Sequence, residues 1–403
     1  MRRVVITGMA PVCSLGCDHE EVFQKLCEKQ INRKEIERNT PARQKLKSRY
    51  CISAPVIENE EQYQKQFRIL RARGGVATYW AAIAATLAMK DAKLEEADPD
   101  THVFMGVGAP PMPDISDQIL KLNETYKMDS AGIPKAMQSS IAAWISILQG
   151  THGKSATISM ACASGTETVG MGYESILNGK CDMALCGGSD ALTDRNLTLL
   201  KGFEHLRAVT MDEDGFSLPF SQERSGFLFC EGAAAVVVLE ELEHAKKRNA
   251  KIYAEIVGFE SASDGFNIIS MPKDGAIVKQ MLKKLVKDKK VDYYNAHATG
   301  TVLNDAVESM VIQEIFGDRN QQPAISATKS LLGHTLGASG TLEVMVCADT
   351  IQQNRVHGSM TKTIMDNLNI TSETRTLPVH CAVSASFGFG GHNAAIMLKK
   401  FQE

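Results

Sequence analysis

The stretch Ser155-Ala-Thr-Ile-Ser-Met-Ala-Cys162-Ala-Ser-Gly-Thr-Glu-Thr168 joins a short β-rich run to a helix-like pattern at one cysteine. Residues 157–160 predict a buried strand, and apolar residues within 169–177 recur at roughly helical spacing. Cys162 is therefore expected at a helix N-terminus, where free backbone N–H groups and the helix dipole lower a thiol pKa that is about 8.5 in a free cysteine. An inert core cysteine is the alternative, but the small neighbours of Cys162 favour a nucleophile.

Strand-like runs alternate with helix-like stretches in two series, on either side of the charged segment 240–251. The predicted strands are Val4–Ile6, Val103–Met105, Thr157–Met160, Met183–Cys186 and Ala233–Leu239, then Ile252–Phe259, Tyr293–Ala296, Ala324–Ser326, His380–Val383 and Ala394–Leu398. This alternation predicts a layered α/β architecture. We place a domain boundary in the charged segment, giving residues 1–245 with the cysteine and residues 246–403.

Composition excludes several classes of protein. The chain has 403 residues, 44% of them hydrophobic, and a formal charge of −3, so it can bury a large core but has no global basic field for nucleic acid or a membrane surface. It shows neither an apolar leader nor a run of about 18 apolar residues, which predicts a cytoplasmic protein. Its ten cysteines form no Cys-x-x-Cys pair, so we expect neither a disulfide framework nor a metal site.

Two further turns carry histidine after strand-like runs, at His297 within residues 294–305 and at His334 within residues 326–334. A lone histidine is usually structural, but a cysteine with two loop histidines indicates acyl chemistry. A thiolate can accept an acyl group, and two imidazoles could stabilise the enolate formed when a β-carboxylate leaves as carbon dioxide. Lys329, five residues before His334, could hold the local charge balance.

Seven stretches, in this order, resemble the β-ketoacyl-acyl-carrier-protein synthases, closest to the ketosynthase II type and its polyketide relatives. They are Val5–Gly8, Ala161–Gly165, Leu185–Asp190, Glu231–Glu240, Ala296–Thr301, Thr328–His334 and Ser386–Gly391. The resemblance covers nearly the whole chain. It implies a thiolase-like fold with two similar halves in a five-layered α/β/α/β/α core, normally a tight dimer.

The resemblance also implies roles for residues. Cys162 would take an acyl chain from an acyl carrier protein, and His297 and His334 would assist decarboxylation of malonyl carrier protein and the condensation. Lys329 and Glu343 match a supporting ion pair. The protein itself would need no cofactor, because phosphopantetheine arrives on the carrier protein.

Around these residues the resemblance implies a supporting group and a gate. Thr299, Thr301 and Asp305 belong to the matching turn that carries His297. The backbone N–H groups of Cys162 and Phe389 would form an oxyanion hole. The loop from Phe387 to Gly391 would gate the acyl channel, with Phe389 mobile.

The chain departs from the family pattern at several positions. Ala298 replaces the usual glycine, and Ile269-Ser270 replaces a Thr-Ser pair near the pantetheine arm, which leaves Ser270 as the expected contact. Ala109 falls where a larger branched residue often lines the acyl pocket across the dimer interface, which predicts a roomier pocket. These departures tilt the interpretation toward a specialised relative.

Carrier proteins are acidic, so a local basic rim is expected. Arg71, Arg73, Lys127 and Arg207 fall at roughly the docking positions, although they could equally be solvated surface charges.

Two alternatives differ in chemistry. A chain-length factor is a non-catalytic partner of the same fold that normally lacks the cysteine, so Cys162 argues against it. The chain could still form a heterodimer with such a paralogue instead of a homodimer. A thiolase typically has a second catalytic cysteine near the C-terminus, and the loop 387–393 has none. A choice between fatty acid and polyketide pathways, and an acyl length, stay open.

Overall fold

The computed structural model describes residues 2–287, 289–365 and 367–403. Most of its strands join one mixed sheet, in which the two predicted series lie side by side. The strands are β1 Val4–Val12, β2 Arg33–Glu35, β3 Tyr50–Ile52, β4 His102–Gly106, β5 Ser155–Ile158, β6 Met183–Ala191, β7 Gly232–Glu241, β8 Ala254–Ser263, β9 Tyr293–Asn295, β10 Ala324–Ser326, β11 Arg355–Val356, β12 Arg375–Thr376, β13 Cys381–Gly388 and β14 His392–Lys399.

The helices connect these strands and cover the sheet. They are α1 His19–Cys27, α2 Pro41–Gln44, α3 Glu60–Gln66, α4 Arg68–Arg73, α5 Val76–Asp91, α6 Met112–Thr125, α7 Gly132–Ala136, α8 Ser140–Gln149, α9 Ser164–Leu177, α10 Thr198–His205, α11 Leu242–Lys247, α12 Ala276–Val286, α13 Val302–Phe316, α14 Lys329–Leu332 and α15 Ser339–Gln353. Short 3-10 turns at Ala161–Ala163, Leu336–Ala338 and Phe389–Gly391 lie beside this framework.

The sheet consists of two copies of one topology. Its order is β10-β9-β13-β14-β8-β1-β7-β6-β4-β5, so β5-β4-β6-β7-β1 and β10-β9-β13-β14-β8 are equivalent halves. In each half the first three strands are parallel and the last two are antiparallel. The halves meet where Val4–Ile6 of β1 pairs antiparallel with β8. The predicted fold class with two similar halves is confirmed.

The layers follow from which helices contact which strands. Helices α9 and α15 pack against each other and against strands of both halves, while α5 and α8 cover the first half and α12 covers the second. Residues 339–351 of α15 are all buried, as expected for a helix enclosed between the two halves of the sheet. The predicted boundary at 245 falls inside α11, between the end of β7 and the start of β8.

In the part of the chain that the structure describes, no helix is long and apolar enough to cross a membrane.

Candidate active site

Cys162 lies at the tip of a tight turn between β5 and α9, which we call the cysteine turn (Ala161–Ala163). Ala161 has a positive φ of 47°, so the chain reverses there and leads Cys162 into the first turn of the helix. Gly165 is needed behind it, because a Cβ there would lie 2.6 Å from the backbone oxygen of Gly337. The starts of α9 and α15 therefore pack backbone against backbone.

The two predicted histidines lie beside this cysteine. His334 follows α14, and its Nε2 lies 3.0 Å from the Cys162 sulfur. His297 follows β9, and its ring is 5.8 Å from that of His334 at 85°. One ligand atom from each of the three residues lies within 4.8 Å of the other two. The structure thus brings together three segments that are far apart in sequence.

Hydrogen bonds fix the proton on the His334 ring. The Leu336 N–H donates to His334 Nδ1 at 3.3 Å, and the hydroxyl of Ser339 lies 3.1 Å from the same nitrogen. Since Nδ1 accepts, the neutral ring carries its proton on Nε2. Burial, and then the charge of Lys329, lower the pKa of His334 well below its usual value. His334 therefore presents a neutral N–H donor to the sulfur.

The thiol of Cys162 is not acidified, and our expectation of a lowered pKa was wrong. Burial raises the pKa of Cys162 to about 11. The charge of Lys329 and the backbone N–H groups of Phe389 and Cys162 act in the opposite direction, but desolvation of the thiolate outweighs them. The N–H groups of Cys162 and Phe389, expected as the oxyanion hole, do point at the sulfur.

The turn that carries His297 depends on a residue that sequence reasoning missed. Both carboxylate oxygens of Glu308, on α13, accept backbone N–H groups, from His297 and Ala298, each at 2.8 Å. Ala298 has a positive φ of 35°, so this turn is sharp. Burial raises the pKa of Glu308 to about 7. An available signal was the pair Asp305 and Glu308, whose i, i+3 spacing places two acids on one helix face.

The other predicted members of this turn divide into two groups. Asp305 is buried and accepts the N–H groups of Phe220 at 2.8 Å and Gly300 at 3.2 Å, so it braces the turn from behind. The hydroxyls of Thr299 and Thr301 lie 3.0 Å apart and face the cavity described below.

Lys329 and Glu343 form the predicted ion pair, and both side chains are almost completely buried. Burial raises the pKa of Glu343 to about 7, while Lys329 opposes that rise. The Lys329 charge also lowers the pKa of His297, although burial is the larger cause. Lys329 of this pair therefore places its positive charge near two neutral imidazoles.

A cavity of about 370 Å³ opens onto the cysteine. Cys162, His297 and His334 line it together with Ser270, Thr299, Thr301, Arg207, Phe387, Phe389, Phe203, Phe227 and Leu336. The cavity is mostly apolar around a few polar groups, the usual character of a site for a small substrate.

Ala109 does not line this cavity. It lies beside a separate space of about 10 Å³ that Met137 and Gln138 also line, and the Gln138 amide donates to the Ala109 carbonyl at 3.1 Å. The roomier acyl pocket was predicted at Ala109 across a dimer interface, and it stays a prediction.

Of the four basic residues expected at a docking rim, the structure brings Arg207 to the cavity. Arg71 and Arg73 lie exposed on α4, and Lys127 lies exposed after α6. The Arg71 guanidinium stacks over the Tyr79 ring at 5.4 Å. Among these four, Arg207 is the one that lines the cavity at Cys162, and the docking role of all four stays a prediction.

The spacing of Cys162, His297 and His334 is also one that could hold a metal ion. A thiol and two neutral imidazoles are typical zinc ligands. They equally supply a nucleophile and two hydrogen-bond donors around one carbonyl group.

Comparison with known proteins identifies relatives along nearly the whole chain. Residues 1–245 match the beta-ketoacyl synthase N-terminal domain and residues 253–362 match the C-terminal domain. The 3-oxoacyl-[acyl-carrier-protein] synthase 1 of Buchnera aphidicola subsp. Acyrthosiphon pisum is 31% identical over 420 residues, covering 100% of both chains.

Solved structures give the same result. The ishigamide ketosynthase/chain length factor superposes with a TM-score of 0.88 at 27% identity, covering 100% of both chains. A ketosynthase of a type II polyketide synthase, solved with its acyl carrier protein and bound to the hexaketide, gives 0.87 at 26% identity, covering 99% of this chain and 100% of that one.

Proposed function

The chain belongs to the beta-ketoacyl synthase family and is a condensing acyltransferase, and we propose that Cys162 carries the acyl chain between its two substrates. The observation that carries this proposal is the 3.0 Å contact between the Cys162 sulfur and a His334 Nε2 that bears the proton. It places a nucleophile and a neutral donor around one point in the cavity.

In the acyl transfer, the Cys162 sulfur attacks the carbonyl carbon of an acyl thioester. The bond from that carbon to the carrier sulfur breaks, and the Cys162 thiol proton passes to the released carrier thiolate, which becomes a thiol. The N–H groups of Cys162 and Phe389 donate to the carbonyl oxygen as it becomes negative. Because the thiol pKa is about 11, the thiolate forms at the moment of attack and is not stored beforehand.

In the second half-reaction, a malonyl thioester loses carbon dioxide and its electron pair forms an enolate. The Nε2–H of His334 and the imidazole of His297 donate to the enolate oxygen. The enolate carbon then attacks the acyl carbon on Cys162, the carbon–sulfur bond breaks, and the sulfur takes up one proton. Burial, and then the charge of Lys329, lowers the pKa of both imidazoles, and a neutral imidazole stays a donor throughout.

An acyl carrier protein is the proposed partner, and its phosphopantetheine arm would be the only cofactor the reaction needs. We propose that the arm enters between Arg207 and Ser270, which both line the cavity. Ile269 beside Ser270 is 48% exposed, so the arm passes an apolar side chain where a hydroxyl is usual in the family. The relative solved with its acyl carrier protein supports a carrier protein as the partner.

A second subunit of the same fold is proposed on the face formed by α6, α7 and α8. Tyr126, Ile133 and Ile147 on or next to these helices are 90%, 65% and 67% exposed. Apolar side chains concentrated on one face mark a protein interface. Mass photometry of the isolated chain tests which partner it takes: dimers indicate a homodimer, and monomers that pair only with a co-expressed paralogue indicate a heterodimer with a chain-length-factor-like subunit.

A cytoplasmic location is proposed because all ten cysteines are free thiols in the described structure, as is usual in reducing compartments. The structure of the β-ketoacyl product decides between a fatty acid and a polyketide pathway.

The test supplies the purified chain with carrier protein that bears an acyl thioester and with malonyl carrier protein, and measures carbon dioxide and the β-ketoacyl product by mass spectrometry. Both are expected from the wild type, and the β-ketoacyl product is expected to be absent for Cys162→Ala. Equal product from Cys162→Ala would refute the proposed role of the cysteine. No product from a wild-type dimer would favour a structural subunit.

A further inference from the structure

A second turn with the pattern of the cysteine turn lies on the other side of the site. This glycine turn, Leu336–Ala338, precedes α15, and both turns lead into the same tripeptide, Ser-Gly-Thr. Both begin in the left-handed region, with φ of 47° at Ala161 and 48° at Leu336. Gly337 therefore takes the place in the glycine turn that Cys162 takes in the cysteine turn.

The carboxylate of Asp190, near the end of β6, occupies the tip of the glycine turn. Its Oδ2 accepts the N–H groups of Gly337 at 2.6 Å and Gly108 at 2.8 Å, and its Oδ1 accepts that of Ala109 at 3.2 Å. Asp190 is 3% exposed, and in the described part of the chain no side-chain cation pairs with it. Burial raises its pKa to about 7, and the three N–H groups oppose that rise.

The two turns differ in what accepts their N–H groups. At the cysteine turn, the N–H of Cys162 and the N–H of Phe389 after β13 face the reacting sulfur. Strand β13 is the counterpart of β6 in the second half of the sheet. Asp190 therefore fills, at the glycine turn, the position that a negatively charged oxygen of the substrate would fill at the cysteine turn.

The glycine turn also controls a catalytic side chain. Leu336, next to Gly337, donates its N–H to His334 Nδ1 at 3.3 Å. This bond keeps the proton on Nε2, which lies 3.0 Å from the Cys162 sulfur. We propose that Asp190 is a positioning residue: its carboxylate holds the glycine turn and, through the Leu336 N–H, aims His334 Nε2–H at Cys162. The catalytic meaning of this role rests on the proposed function, whereas the geometry does not.

Only a carboxylate suits this position. Both oxygens of Asp190 accept N–H groups, whereas an amide of the same size has one acceptor oxygen and would turn an NH₂ group toward a donor. Asp190→Asn therefore loosens the glycine turn without changing the volume of the side chain.

The experiment measures how fast iodoacetamide alkylates Cys162 at a fixed pH, following the Cys162 peptide by mass spectrometry. We expect Asp190→Asn to be about tenfold slower, because a misaimed His334 no longer stabilises the thiolate. If Asp190 acted only through its charge, which opposes ionisation of Cys162, the variant would react faster. If its role were only structural, the melting temperature would fall with the rate unchanged. Either result overturns the proposal.

Two further variants keep the test decisive. Asp114→Asn removes another buried carboxylate, which accepts the Val76 N–H at 3.2 Å, and should react at the wild-type rate. Gly337→Ala would place a Cβ 2.8 Å from Asp190 Oδ2 and should slow alkylation as Asp190→Asn does. If both Asp190→Asn and Gly337→Ala lost the native circular dichroism spectrum, the glycine turn would be needed for folding, and this would contradict a positioning role. Alkylation needs no acyl substrate, so this outcome is independent of the condensation assay.

Discussion

The cysteine turn and the glycine turn share a backbone and a following Ser-Gly-Thr, but they differ at the tip. Cys162 projects its sulfur into a cavity, whereas a Cβ at Gly337 would lie 2.6 Å from the Gly108 nitrogen. The N–H groups at the first turn face the reacting sulfur, and those at the second bind Asp190. Two equivalent halves thus use one local structure for two purposes, chemistry in one and alignment in the other.

Removing the imidazole that connects the two turns has the largest expected effect. His334→Ala should lower malonyl decarboxylation by about 10²–10³-fold, the usual loss when one donor to a developing oxyanion is removed. Carbon dioxide release from malonyl carrier protein measures it. His205→Ala, on the exposed end of α10, is the matched control and should keep the wild-type rate. A rate for His334→Ala equal to that of this control would show that the Nε2–H does not serve the enolate.

The next largest expected effect is the pH dependence of Cys162 alkylation, which follows from the pKa of its thiol. A thiol with a pKa of about 11 is protonated at neutral pH, so its thiolate fraction rises with pH. Alkylation of Cys162 should therefore increase about tenfold per pH unit, or about 100-fold from pH 7 to pH 9. Subtracting the reaction of Cys162→Ala removes the other cysteines. A plateau below pH 8 would mean that the helix N-terminus overcomes burial after all.

Placing an alanine at each of the two tips gives the smallest effect. Gly337→Ala should lower the free energy of unfolding by about 1–3 kcal/mol, because the new Cβ has no space. Cys162→Ala, which removes one sulfur beside a cavity, should cost about 1 kcal/mol or less. Urea unfolding at one protein concentration compares them. Equal destabilisation would show that the tips are packed alike and that the glycine is not required.

Much of the fold could be predicted because its buried strands correspond to short runs of apolar residues in the sequence. Every predicted strand is present, but β6 continues from Cys186 to Ala191 through Gly-Gly-Ser-Asp, which resembles a turn. Gly187 belongs in the strand because a Cβ there would lie 2.1 Å from the Ala235 oxygen. The sequence shows that residue 187 is a glycine, but it does not show the neighbouring backbone that leaves no space for a side chain there.

The site could be predicted only in part. Cys162 and His297 each follow a strand of the sheet and His334 follows the short helix after β10, and the chemistry of the three side chains pointed to one site. Asp190 accepts backbone N–H groups of distant segments, which no local pattern reveals. Glu308 accepts N–H groups of the nearby His297 turn, and its spacing from Asp305 was the one signal that could have found it. The raised pKa of Cys162 depends on burial by the folded chain, and that outweighs the helix terminus visible in the sequence.

The most direct measurement is peptide mapping of the wild-type chain after incubation with carrier protein that bears an acyl thioester. The acyl group is predicted on the peptide that contains Cys162 and on none of the other nine cysteines, even though each of them is also a free thiol. Acylation at another cysteine, or acyl transfer with Cys162 unmodified, would contradict the account in which the cysteine turn is reactive and the glycine turn aligns His334.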